Sequence, residues 1–438
     1  HLIEFDLLTQ MGLLKESDYA SVNFGDDPTN VDYERVFYAR RPILETAVKN
    51  FLANQAFQAD FQNFEKNNRL WLDDFAEFMA IKEHFGNQAL QKWDDKKAVA
   101  RDPSALEKYR SMLAEQIQYF KVTQYFFFKQ WTELKNYANQ KGIQIIGDMP
   151  IYVAADSVEV WTKPELFQLD EERNPLVVAG VPADQFSATG QLWGNPLYAW
   201  EEHKKQGYAW WIHRIEESFK IYDVLRIDHF KGFSDYWQVD GKAEVAKDGS
   251  WQPGPGYELF KAVKEQLGDL PIIAEDLGNI DDKARKLLAD CNYPGMKILQ
   301  FGFEDVSGKS LDSPHYCIPH SIVYTGTHDN DVTNGWYNSL TEQQQQYIND
   351  YTHRREDESI CQAMIRQLFA TVSNTAIATM QDVLDLPASS RMNIPSTIGG
   401  NWQWRMQKSD LTQDKKDFLA KMTTLYQRAN QEKHNDEI

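Results

Sequence analysis

After Lys141 the sequence alternates between short apolar runs and helical stretches, and this alternation constrains the fold more than any other feature. Each run ends in a polar cluster. The six runs are IQIIGD (143–148), DVLRID (223–228), PIIAED (271–276), GMKILQF (295–301), SIVYTG (321–326) and TAIATMQD (375–382). Strands that are apolar throughout and alternate with helices predict a parallel sheet covered on both faces. We therefore expect an α/β fold, either a β/α barrel or a doubly wound sheet, with its ligands at the carboxyl ends of the strands. No glycine-rich phosphate loop follows any run, which disfavours nucleotide binding.

The part of the chain before this alternation has a helical pattern. Between residues 33 and 140, apolar side chains recur at spacings of three and four, as in Leu44, Val48 and Phe51. The stretch 104–142 predicts one long helix. We expect three parts: a barrel-associated start (1–32), a helical insertion subdomain (33–140) and a catalytic β/α barrel (141–438).

Composition excludes several classes of function. There are 46 basic and 65 acidic residues, a net charge of −19, so the chain gains nothing electrostatically from nucleic acid or an anionic membrane. No stretch approaches the 18 uncharged apolar residues of a membrane span. Three cysteines without a CxxC pair suit a reducing compartment, and we expect a cytoplasmic protein.

Acidic residues stand at four of the predicted strand ends: Asp148, Asp228, Glu275 and Asp329. Glycosyl transfer needs such a set, because one carboxylate attacks the anomeric carbon and a second, protonated one serves the leaving oxygen. Arg226 lies two residues before Asp228, so strand alternation puts both on one face, where the cation stabilises an ionised nucleophile.

Metal binding is the alternative for these acids, since His229 and His328 each adjoin one of them. The chain has no HxH, no HExxH and no run of closely spaced acids. The residues alone therefore indicate a barrel enzyme with a carboxylate site.

Several longer segments carry a family resemblance. They are GDMPIYVAADSVEVW (147–161), PADQFSATGQLWGNPLYAW (182–200), VLRIDHFKGF (224–233), IIAEDLG (272–278), YTGTHDND (324–331) and RMNIPSTIGGNWQWR (391–405). In this order they resemble the 4-α-glucanotransferases (amylomaltases) of glycoside hydrolase family 77. The resemblance covers nearly the whole chain and implies a (β/α)8 TIM barrel with a helical insertion.

The resemblance implies a role for each site residue. Asp228 is the expected nucleophile, Glu275 the general acid/base, and Asp329 the acid that holds sugar hydroxyls in the transition state. The implied substrate-binding residues are Asp148, Trp193, Asn195, Arg226, His229 and His328. Trp402 and Trp404 match the last motif, in which a mainly structural role is expected.

The expected function is retaining transfer of α-1,4-glucan segments through a glycosyl-enzyme on Asp228. The partners would be maltooligosaccharides, glucans derived from starch or glycogen, and glucose as acceptor, with no cofactor and no metal. An α-glucan hydrolase of the same barrel class and a non-catalytic glucan-binding protein remain as alternatives.

The sequence departs from the pattern of this family in two places. Only six barrel strands are predicted, so we expect strands one and two to be missing from the chain, and Gln185 replaces an aromatic residue found in many relatives.

Overall fold

A computed structural model describes residues 1–183, 189–278 and 280–429 of this α/β chain. Gln185 lies outside the described residues. The chain divides into two compact units. The first comprises the described residues of His1–Phe24 and Glu34–Asn292, and the second comprises Gly25–Tyr33 and the described residues from Tyr293 onward.

Both units contain many α-helices. Up to residue 292 they are α1 (Phe5–Gln10), α2 (Tyr33–Ala53), α3 (Gln58–Asn68), α4 (Leu72–His84), α5 (Lys96–Val99), α6 (Pro103–Met112), α7 (Ala114–Gln140), α8 (Val158–Thr162), α9 (Trp200–Lys205), α10 (Ala209–Ile221), α11 (Tyr257–Leu267) and α12 (Asp282–Cys291). Beyond residue 292 they are α13 (Leu299–Glu304), α14 (Thr333–Ser339), α15 (Glu342–Thr352), α16 (Ile360–Ala370), α17 (Met380–Val383) and α18 (Gln413–Leu425).

The strands of the described residues are short and form three sheets. They are β1 (Ile146–Met149), β2 (Val177–Val181), β3 (Gln191–Pro196), β4 (Val224–Ile227), β5 (Asp235–Asp240), β6 (Ser250–Pro253), β7 (Ile272–Ala274), β8 (Gly295–Ile298), β9 (Ser321–Tyr324) and β10 (Thr375–Ile377). The first unit contains a parallel sheet of order β1-β4-β7 and an antiparallel sheet of order β3-β2-β5-β6. The second unit contains a parallel sheet of order β10-β9-β8.

The parallel strands lie where the apolar runs predict them, three in each unit. Buried aliphatic side chains line β4, β7 and β9, whereas Ile146 of β1 is exposed and β10 is only partly buried. Polar residues follow at the carboxyl ends, as Asp228 follows Ile227. Two runs are strand only in their first half. GMKILQF turns into α13 after Ile298, and TAIATMQD turns into α17 after Thr379, whose hydroxyl caps that helix. In the part of the chain that the structure describes, the parallel strands number six. The expected lack of barrel strands one and two stays a prediction.

The helical region before β1 follows the predicted pattern with one correction. Leu44, Val48 and Phe51 are buried on one face of α2. The single long helix expected over 104–142 is wrong, because the chain breaks at Leu113 between α6 and α7. The backbone of Leu113 (φ −112°, ψ 24°) leaves the helical region there, and its N–H still donates to Tyr109 O.

These helices all belong to the first unit together with β1, β4 and β7. The boundaries expected at residues 33, 140 and 141 therefore remain predictions. Among the described residues no helix is long and apolar enough to span a bilayer.

Candidate active site

The carboxyl ends of β1, β4 and β7 lie side by side because the three strands pair in parallel. Asp148 is level with Arg226, and Ile227 is level with Ala274. Backbone hydrogen bonds continue this register past the strand ends. The N–H of Asp228 donates to Met149 O and the N–H of Glu275 donates to Ile227 O, each at 3.0 Å. Strand register thus brings Asp148, Arg226, Asp228 and Glu275 to one edge of this sheet.

Arg226 joins two of these carboxylates. Its Nη1 lies 2.6 and 2.7 Å from the two oxygens of Asp148 and 3.1 Å from Asp228 Oδ1. The Arg226 side chain is 10% exposed, whereas those of Asp148 and Asp228 are each 42% exposed. Burial alone would lower the pKa of Arg226, but the two carboxylates raise it well above its ordinary value. The Arg226 side chain therefore remains charged and fixes the orientation of the Asp228 carboxylate. Part of that carboxylate is still exposed to solvent.

Glu275 has a different environment. Its Oε2 accepts from the N–H of His229 and its Oε1 from the N–H of Leu277, both at 2.8 Å. Burial, with a smaller effect from the nearby charge of Asp228, raises the pKa of Glu275 to about 7, although Arg226 and the two N–H donors oppose the shift. At neutral pH this carboxyl group can both give and take a proton.

His229 connects the two acids through its backbone. Its φ of 50° lies in the left-handed region, which is uncommon for a residue with a side chain. This turn directly after Asp228 directs the N–H of His229 to Glu275. Burial lowers the pKa of the His229 imidazole to about 4, although the charge of Asp228 opposes this, so the ring is neutral at neutral pH.

Trp193 lies beside this ring. The indole of Trp193 meets the imidazole of His229 edge to face, with centroids 4.9 Å apart, and lies 6.3 Å from the ring of Tyr152. Trp193 is 37% exposed, so part of its ring remains open to a sugar. Asn195, on the same strand β3, donates from Nδ2 to Val153 O at 2.9 Å, which ties β3 to the loop that follows β1.

His328 and Asp329 follow β9 and belong to the second unit. Asp329 Oδ1 accepts from Asn393 Nδ2 at 2.6 Å, and Asp329 O accepts from Arg391 Nη2 at 2.6 Å. His328 Nε2 lies 3.5 Å from Asp329 Oδ2, and His328 O accepts from the N–H of Asn393 at 3.1 Å. The loop of the RMNIP motif thus orients Asp329.

Trp402 differs from its expected structural role. It is 46% exposed, has a positive φ of 61°, and places its ring centroid 5.1 Å from that of His328. A packing residue would be buried, so Trp402 is a further candidate for sugar contact that the motif analysis undervalued.

The sequence reasoning missed three contributors to the site. Asn393 and Arg391 lie in a quoted motif but 62–64 residues beyond Asp329, and neither periodicity nor spacing links them to it. Tyr152, buried beside Trp193, follows β1 in the motif GDMPIYV. The only available signal for all three was their place in the resemblance.

Among the described residues, one group of His, Cys, Asp and Glu side chains lies close enough together to hold a metal ion, and it consists of His213, Glu216 and Glu217 on α10. None of these belongs to the predicted site. Glu217 accepts from Lys220 at 2.5 Å, which competes with any cation there. The absence of a catalytic metal stays a prediction.

Comparison with known proteins shows the family to which the chain is similar. The family profile of glycoside hydrolase 77, described as 4-alpha-glucanotransferase, matches residues 1–412. A 4-alpha-glucanotransferase of Streptococcus pneumoniae is 51% identical over 98% of this chain and 85% of its own length, and one of Clostridium butyricum is 41% identical over 98% and 88%. The solved amylomaltase of Streptococcus agalactiae, in complex with acarbose, superposes with a TM-score of 0.96 at 58% identity, covering 98% of this chain and 86% of that one.

Proposed function

The chain belongs to the 4-alpha-glucanotransferases of glycoside hydrolase family 77, enzymes of the TIM-barrel class that act on α-1,4-glucans, and we propose that it retains anomeric configuration through a glycosyl-enzyme on Asp228. What carries the proposal is the contrast between two neighbouring carboxyl groups. Asp228 is paired with Arg226, whereas burial raises the pKa of Glu275 to about 7. A carboxylate held by an arginine, beside a carboxyl group with a raised pKa, is what a retaining glycosidase needs.

In the first half-reaction Glu275 gives its proton to the glycosidic oxygen as Asp228 attacks the anomeric carbon. The bond from the anomeric carbon to the leaving oxygen breaks, the reducing-end piece leaves, and an ester to Asp228 forms. In the second half-reaction the ionised Glu275 takes the proton of an incoming 4-hydroxyl, whose oxygen displaces Asp228. Retention by this route requires the two carboxyl groups to be about 5–5.5 Å apart.

For Asp329 the support is the family resemblance together with its local geometry. Asn393 fixes one carboxylate oxygen, and the side chain remains 46% exposed. We propose that Asp329 binds hydroxyls of the sugar under attack more strongly in its distorted form. The family resemblance supports sugar binding by Arg226, Asp148 and His229 in the first unit and by His328 in the second. It likewise supports acceptor contacts by Trp193 and Asn195.

The acceptors we propose are maltooligosaccharides and glucose, and the donors include glucans derived from starch or glycogen. A hydrolase of the same barrel class would share the first half-reaction and differ only in the second. A non-catalytic glucan-binding protein would not need a buried carboxyl group whose pKa lies near neutral pH, as that of Glu275 does.

Product analysis after incubation with maltotriose tests the proposal. Transfer gives a ladder of longer maltooligosaccharides plus glucose, and isotope-labelled glucose enters the ladder at its reducing ends. Glucose and maltose alone would indicate a hydrolase. The matched control is Asp228→Asn, which keeps the size of the side chain and should give no products.

A further inference from the structure

A buried carboxylate, that of Asp382, holds both ends of the loop that carries His328 and Asp329. This loop, residues 326–332, connects β9 to α14 in the second unit. Thr325 precedes the loop and Thr333 follows it, and both are fully buried (0% exposed). Asp382 is 2% exposed and belongs to α17, which follows the neighbouring strand β10.

The contacts of Asp382 join these elements. Its Oδ2 accepts from the hydroxyl of Thr325 at 2.7 Å and from that of Thr333 at 2.9 Å. Its Oδ1 accepts from the N–H of Thr333, which is the first residue of α14, at 2.8 Å. One side chain thus satisfies donors at both ends of the loop, although it lies 49 and 57 residues away in sequence.

Packing alone does not fix this loop. A cavity of about 170 Å³ borders it, lined by His328, Asp331 and Asp382 among others. Inside the loop, Asn330 Oδ1 accepts from the N–H and the hydroxyl of Thr327. From outside the loop, buried Gln300 of α13 donates to Asp331 O at 2.9 Å, and Arg391 and Asn393 donate to Asp329. These contacts hold the middle of the loop, and Asp382 holds its two ends. If the ends were released, the loop could relax into the cavity.

We propose that Asp382 is a positioning residue that fixes Asp329 for the transition state without touching the substrate. The inference rests on the proposed role of Asp329. A misplacement of about 1 Å at a catalytic group can cost about a hundredfold in rate. Loss of the anchor should therefore lower kcat more than it changes KM, because ground-state binding uses many other contacts.

The test uses valine substitutions, which remove one hydroxyl and keep the shape of the side chain. The Thr325→Val/Thr333→Val double variant loses both hydroxyl bonds to Asp382. Thr352→Val is the matched control: Thr352 is also buried (1% exposed) in the second unit, but its hydroxyl donates only to Ile348 O within α15. We expect kcat with a maltosyl fluoride donor to fall at least tenfold in the double variant with KM within twofold. The control should keep both constants within twofold.

A cycle with Asp329→Asn separates positioning from general loss of stability. If the threonine anchors act through Asp329, the double substitution should lower the residual turnover of Asp329→Asn by less than threefold. An equal loss in both backgrounds would overturn the inference. Wild-type turnover in Asp329→Asn alone would instead refute the proposed role of Asp329. Should the double variant fail to fold, Asp382→Asn enters the same cycle, since its amide keeps the volume and one acceptor.

Discussion

Replacement of Glu275 by Gln should stabilise the protein at alkaline pH relative to acidic pH. Burial raises the pKa of Glu275 from 4.5 to about 7, so the folded protein binds this proton more tightly than the unfolded chain. The contribution of Glu275 to the free energy of unfolding is therefore fully present below pH 4.5 and is lost as the pH rises through 7. The full pKa difference corresponds to about 3 kcal/mol, of which about 2.5 kcal/mol falls between pH 5 and pH 8. Glutamine does not titrate, so the Glu275→Gln variant does not show this decrease in the free energy of unfolding.

Urea unfolding of wild type and Glu275→Gln at pH 5, 6, 7 and 8 measures the effect. The amide of Gln can accept from only one of the two N–H groups that Glu275 engages, which adds an offset independent of pH. The prediction thus concerns the slope: the free energy of unfolding of the variant minus that of wild type should rise by about 2.5 kcal/mol from pH 5 to pH 8. A difference that stays constant with pH would refute the raised pKa, and with it the assignment of Glu275 as an acid at neutral pH.

Glu358 provides a control of opposite sign. It is 3% exposed and lies 2.8 Å from Arg366 through each carboxylate oxygen. Burial alone would raise the pKa of Glu358, but the hydrogen bonds and charge of Arg366 lower it below its ordinary value. Its contribution is present above the unfolded pKa and is lost as the pH falls. Glu358→Gln should thus be destabilised most at neutral pH and should approach wild type on acidification.

Three further predictions follow from the site. The kcat/KM for maltotriose should fall about tenfold between pH 6 and pH 8, because the protonated fraction of a Glu275 with a pKa of about 7 falls tenfold; a flat profile would exclude it as the acid of the first half-reaction. Asp228→Asn should lower kcat by about a thousandfold or more while calorimetry still detects maltotriose binding, and normal turnover would remove Asp228 from the nucleophile role. Trp193→Ala should raise the KM for acceptor glucose more than it slows donor cleavage, and equal losses would indicate that Trp193 only packs against His229.

The positions of the parallel strands and their terminal acids could be predicted because a buried strand is visible in a single stretch of sequence. The contacts between strands could not be predicted in this way. Alternation correctly puts Arg226 on the face of Asp228, but Arg226 lies closer to Asp148, 78 residues away, because β1 pairs with β4 in that register. The antiparallel sheet was missed for a related reason. Its strands contain glycine, proline and charged residues, and only their mutual pairing, as between β2 and β5, defines them.

The raised pKa of Glu275 also changes the charge that the site presents to a sugar. With Glu275 protonated, the group of Asp148, Asp228, Arg226 and Glu275 carries a net charge of about −1. That negative charge lies on the exposed carboxylates, whereas the arginine is buried beneath them. A neutral glucan can approach without meeting a buried anion, and the positive charge that develops on the anomeric carbon is attracted to Asp228. Donation of the proton then leaves a negative charge on Glu275 as Asp228 loses its own, so the net charge of the group stays the same. Because Asp228 becomes a neutral ester in the same step, Glu275 loses a neighbouring anion that raises its pKa, and it is left ionised to accept the proton of the incoming hydroxyl.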